Sequence, residues 1–153
     1  MPKAIGGWLI LVALGVILGP FRIGHLLVTT FPPIFSDGTW EAITTETSEV
    51  YSALWAPFIL GEIAFNLILL VASIYMAILF FSKKSNFPKW FAALSIVSAI
   101  FILLDAYVAS IVMPGIPMFD SETSKEFGRS LVSCLIWTPY LFLSQRSKET
   151  FIR

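Results

Sequence analysis

Four long apolar stretches, over residues 5–27, 53–81, 90–113 and 127–143, dominate this 153-residue chain. Crossing a hydrocarbon core about 30 Å thick takes roughly 20 mostly apolar residues in a helix. Lipid offers no hydrogen-bond partner, so each crossing segment must satisfy its own backbone. Runs of this length do not break into the alternating segments of about 10 residues that build a membrane barrel. The pattern therefore predicts an all-α polytopic membrane protein, a single domain over 1–153 with four transmembrane helices in a bundle. Composition agrees: 57% of residues are hydrophobic and 13% charged, where a soluble domain has about 45–50% and about 25%. Ten basic and ten acidic residues leave no net charge, so nucleic acid is not an expected partner.

The first stretch follows Lys3 as a signal-peptide core would, but Gly19-Pro20-Phe21-Arg22 makes no small-x-small cleavage site. A retained helix is expected. Pro20, Pro57 and Pro139 fall in or near the spans, where kinks are expected. Lys3, Lys83, Lys84, Lys89, Arg146, Lys148 and Arg153 fall on one side of the membrane. The opposite loops hold Lys125 and seven acids: Asp37, Glu41, Glu46, Glu49, Asp120, Glu122 and Glu126. Short loops rich in Lys and Arg stay inside, so both termini are expected in the cytoplasm. The basic cluster near Arg146 and Lys148 reads as a topology anchor.

Between the first two spans, Phe31-Pro32-Pro33 and Ser36-Asp37-Gly38 read as a turn region. Trp40, Ile43, Thr47, Val50, Tyr51 and Leu54 then recur at helical spacing. This predicts a short amphipathic helix at the outer interface, with a lid as the alternative.

The spans also carry polar residues that lipid would reject. An ionised side chain at the bilayer centre costs about 2.5–3.5 kcal/mol, which cancels about five to ten good apolar residues. Arg22, Glu62, Asp105 and Arg129 are such groups, accompanied by His25 and Asn66. At about 1.5 Å per residue the four charges lie between the midplane and the outer leaflet. Arg22 and His25 are three apart, and Glu62 and Asn66 four apart, with Ser73 further along. Ser95, Ser98 and Asp105 share one stripe, and Arg129, Ser133, Trp137 and Tyr140 another. Each helix thus has one polar face directed at a shared interior. Two basic and two acidic groups suggest neutralisation inside the bundle, with Arg129 reaching Glu62 or Asp105. Gly15 and Gly19 form a small-xxx-small pair, expected to let the first span pack closely on a neighbour.

Ile5-Gly6-Gly7-Trp8-Leu9-Ile10-Leu11 and Gly19-Pro20-Phe21-Arg22 resemble the start of bacterial membrane proteins catalogued as domain of unknown function 2569. The close is similar too: Arg129-Ser130-Leu131, Ile136-Trp137-Thr138-Pro139-Tyr140, then Ser144, Arg146, Lys148, Thr150 and Phe151. Thr138, Leu141, Gln145 and Ser147 depart conservatively from the family's ending. Trp55-Ala56-Pro57 and Glu62 resemble its second span. The resemblance implies a four-helix protein of the bacterial inner membrane and no assigned activity.

Enzyme chemistry is not expected. One His and one Cys, His25 and Cys134, cannot assemble a metal site, and no cofactor is implied. Gly6-Gly7 opens a membrane helix and does not follow a strand, so it is no phosphate loop. Glu62 and Asp105 lack the Gly-x-Gly-Asp setting of an intramembrane aspartyl protease, and no serine has a recognisable base. Two readings remain. One is an outward-facing polar cavity, formed by Arg22, His25, Glu62, Asn66, Asp105, Arg129 and Tyr140, that binds a small molecule, ion or lipid. The other is an accessory subunit of a membrane complex or homo-oligomer, whose buried charges only fix helix packing.

Overall fold

Helices form where the apolar runs are longest. In the computed structural model, which describes residues 1–153, α1 spans Leu9–Thr29, α4 Trp55–Phe81 and α5 Phe87–Val112. These three are long and apolar enough to cross a membrane. Short helices α2 (Phe31–Ser36) and α3 (Thr39–Thr44) follow α1. The fourth stretch is composite: α6 (Ser121–Val132), a π-helical turn (Ser133–Trp137) and α7 (Thr138–Leu143) run on without a break, before α8 (Gln145–Thr150). The chain is an all-helical, membrane-spanning bundle.

The helices pack in a row, α1 on α4, α4 on α5, and α5 on α6 and α7. The row is clasped at the end that carries the termini. There Leu9, Val12 and Val16 of α1 meet Leu79 and Phe80 of α4, Phe87 of α5, Leu141 of α7 and Phe151 in one buried cluster. Phe80 is fully enclosed, its ring 5.0 Å from Phe87 and 5.5 Å from Phe151. Lys3 Nζ pairs with Glu149 at 2.7 Å, and backbone hydrogen bonds join Lys3 to Glu149 and Arg153 to Lys83 and Ser85. Arg146 lies against Gly6 and Gly7, where added β-carbons would meet its side chain. Gly7 also takes a left-handed φ of 60° that other residues adopt at a cost. The two motifs most distinctive of the chain, near residues 6 and 146, are therefore two halves of one contact.

At the far end, α2 and α3 fold back over α1 and α4, burying Phe31, Ile43 and Ile59 together. The expected helix from Trp40 to Tyr51 stops at Thr44, and Thr45 is extended. The hydroxyl-rich run 44–52 spends its side chains on its own backbone: Thr44 Oγ1 donates to the Trp40 carbonyl, and the Val50 amide donates to Ser48 Oγ. Such local bonds compete with a continuing helix. The expected turn at Phe31-Pro32-Pro33 is instead the first turn of α2, where proline gives up no intrahelical donor.

Two further expectations are corrected. Gly15 and Gly19 meet no neighbour; β-carbons placed there would find nothing within 4 Å. The α1–α4 seam runs through Val12 and Val16, leaving the glycines along an open side. Glu122 and Glu126, expected in an outer loop, are helical: the helix that leads into the fourth stretch begins at residue 121, because Asp120 caps it by accepting the Thr123 amide at 2.7 Å. The prolines act differently from one another. Pro20 sits inside α1, Pro57 in the first turn of α4, and Pro139 just after the π-helical turn. There Thr138 donates both its amide and its Oγ1 to the Ser133 carbonyl five residues back. A widened turn is a common backbone response to such a break.

Candidate functional site

Clasped at one end and not sealed between α1 and α6, the row encloses a cleft of about 980 Å³. Helical spacing directs its lining. Arg22 and His25 face it from α1, Glu62, Asn66 and Ser73 from α4, Ser95, Ser98 and Asp105 from α5, and Arg129 from α6. Six of the seven residues singled out in the sequence thus border one space. Tyr140 is the exception: it packs against the clasp, edge-on to Trp137 at 6.1 Å. The π-helical turn separates it from Arg129 and Ser133, so the stripe that joined them on a regular helix is broken.

The electrostatics differ from expectation. The molecule's one salt bridge is Lys3–Glu149, and neither Arg22 nor Arg129 comes within 4.0 Å of a carboxylate. The pairing expected between Arg129 and Glu62 or Asp105 is not formed. Instead Glu62 of α4 and Asp105 of α5 both border the cleft, with Glu126 of α6 on the same lining. Asp105 Oδ1 is fully enclosed without a hydrogen-bond partner. Asn66 Nδ2 donates to the Glu62 carbonyl at 2.9 Å, and Ser73 Oγ to that of Leu70 at 2.8 Å, so both are partly engaged by their own helix. Two adjacent carboxylates repel, and the arrangement is relieved by a shared proton or a bound cation.

A second cavity of about 260 Å³ adjoins the first, roofed by the 113–120 segment and also bordered by Glu62 and Asp105. The carboxyl pair therefore stands between a small chamber at the far end and the main cleft. The cleft's floor is apolar and aromatic, and includes Phe65 stacked on Phe101 with ring centres 3.6 Å apart. No three of the His, Cys, Asp and Glu side chains gather as a metal site.

Three lining acids, Asp120, Glu122 and Glu126, were counted from the sequence only as loop charges. The readable signal was Asp120-Ser121-Glu122-Thr123, a helix-opening pattern that starts the helix early. From that start Glu122, Glu126, Arg129 and Ser133 fall on one face. The cap bond to Thr123 holds the Asp120 carboxyl below the usual carboxylate range.

No curated protein sequence and no solved structure matches this chain. One family model does, described as a protein of unknown function, DUF2569, and it matches residues 2–152. With the Gly6-Gly7 and Arg146 motifs in contact and nearly every residue within that match, the chain belongs to the DUF2569 family.

Proposed function

We propose that this is a non-enzymatic protein of the bacterial inner membrane whose intramembrane cleft binds a small molecule, ion or lipid. The observation that carries the reading is the convergence of Arg22, His25, Glu62, Asn66, Asp105 and Arg129, from four helices, on one cleft. Ionisable groups in membrane helices characteristically mark a ligand or ion pathway. In this reading the 121–143 segment is the fourth crossing. The Lys- and Arg-rich ends, 83–89 and 146–153, stay in the cytoplasm, so the polar half of the cleft faces outward.

The accessory-subunit reading is favoured by one feature, the unsealed gap between α1 and α6, which would admit a partner's helix. The unpaired state of Arg22 and Arg129 counts against charges that serve only to fix packing. The two readings separate by cysteine accessibility. In a Cys134→Ser background, cysteines at positions 66 and 98 should react with a membrane-impermeant maleimide added outside intact cells, and a cysteine at 86 should not. Protection at both cleft positions, together with a co-purifying membrane protein, would favour the accessory subunit. Reaction at 86 would reverse the orientation.

A further inference from the structure

We infer that the cleft is selective for an amphipathic organic cation; this rests on the binding reading above and names the ligand class. The first ground is charge. Glu62, Asp105, Asp120, Glu122 and Glu126 border the cleft, against the guanidinium groups of Arg22 and Arg129. If Glu62 and Asp105 share one proton, four carboxylates still face two guanidinium groups, with His25 at the rim of α1. Neither arginine neutralises a carboxylate by contact. The field inside is negative, and apolar walls strengthen it.

The second ground is the unmet atom. Asp105 Oδ1 is enclosed and unpartnered, and the residue that carries it borders both cavities. A buried polar atom without a partner is costly, and a cation lying between the two carboxyls would relieve it. The third ground is the lining. Phe65, Phe91, Phe101 and Trp137 border the same space. Aromatic faces attract cations and offer an organic body its apolar contact. A bare inorganic ion would use the carboxyls and waste these walls. An anionic headgroup would face an excess of carboxylates. A volume of about 980 Å³ falls within the usual range for small-molecule sites. The gap between α1 and α6 opens sideways toward the bilayer, where amphipathic cations collect.

Protons compete for the same carboxyl pair, so binding should weaken on acidification. The charged and titratable groups that border the cleft with the pair are Arg22 and His25 from α1, Glu122, Glu126 and Arg129 from α6, and Asp120 at its cap.

The test compares two ions of matched shape and opposite charge, tetraphenylphosphonium and tetraphenylborate. Equilibrium dialysis is run with the full chain in lipid nanodiscs, subtracting empty nanodiscs. The phosphonium should bind saturably, and the borate at least tenfold more weakly. Glu62→Gln combined with Asp105→Asn should lower phosphonium affinity about tenfold or more. Because that variant could misfold, Glu122→Gln with Glu126→Gln is measured beside it. Both side chains are exposed on α6, and their neutralisation should weaken binding about threefold. Equal binding of the two ions, or unchanged affinity in both variants, overturns the cation inference while leaving a ligand-binding cleft. If neither ion binds saturably the inference also fails. The cleft itself then stands or falls on the accessibility of positions 66 and 98.

Discussion

Phe80→Ala should loosen the whole bundle, because its ring is where α1, α4, α5 and the segment after α8 meet. The side chain is fully enclosed, with Phe87 5.0 Å away edge-on and Phe151 5.5 Å away. Truncating a buried Phe in a soluble core costs about 3–5 kcal/mol. In a bilayer part of that transfer term vanishes, since lipid tails solvate the ring in the separated state as well. The lost dispersion contacts and the cavity remain, and so do the two aromatic pairs that reach other elements, with Phe87 and Phe151, worth about 0.5–1.5 kcal/mol each. The expected loss is therefore about 2–4 kcal/mol. Ile78 on the same helix is 57% exposed and serves as the internal control. Ile78→Ala should cost about 0.5 kcal/mol or less. Both variants would be followed by detergent unfolding titration in mixed micelles, read by near-ultraviolet circular dichroism. If Phe80→Ala loses no more than Ile78→Ala, the aromatic clasp does not hold the helices and the argument for a shaped cleft loses its scaffold.

Gly7→Ala should cost about 1 kcal/mol in the same titration, since φ at this position is 60°. Ser147→Ala removes the donor that Ser147 Oγ directs at the buried Leu141 carbonyl, 2.7 Å away, and should cost about 1–3 kcal/mol. Gly19→Leu should fold normally, because nothing lies within 4 Å of the new β-carbon, yet weaken tetraphenylphosphonium binding by occupying the cleft. The Lys3 ammonium holds the Glu149 carboxyl below its ordinary value of 4.5. Its small contribution should be present above that value and vanish as pH falls through the lowered one. Glu149→Gln should thus flatten the fall of the thermal midpoint between pH 6 and pH 3.

The spans were legible because an apolar run of 20 residues has few other uses. Helix faces were legible for the same reason: Arg22, Glu62, Asp105 and Arg129 had to turn away from lipid. What each polar group would meet was not legible, because periodicity fixes a direction and not a partner. Opposite charges at similar depth suggested ion pairs. In the fold α4 and α5 are neighbours, so Glu62 and Asp105 border the same cavities, while Arg129 stays more than 4.0 Å from any carboxylate. Gly15 and Gly19 misled for a related reason. Small residues permit close approach, and here the valines beside them make it. Tyr140 was lost to a local event, the π-helical turn that shifts its phase. Asp120, Glu122 and Glu126 were read as loop charges because the apolar run starts six residues after the helix does, although the cap at Asp120 was written in the chain.

The clasp also dictates the order in which the molecule can be completed. Lys3 and Glu149 are 146 positions apart, and Leu9, Val12 and Val16 are buried partly against Leu141 and Phe151. Synthesis delivers these groups at opposite times. The first helix must therefore wait in the bilayer, its flank at the Leu9 end uncovered, until residues 141–151 arrive to dock beneath it. Lipid tails cover that flank meanwhile. Insertion of the helices and closure of the clasp are then separable stages, and a ribosome stalled before residue 141 should leave α1 inserted but crosslinkable to lipid near Leu9.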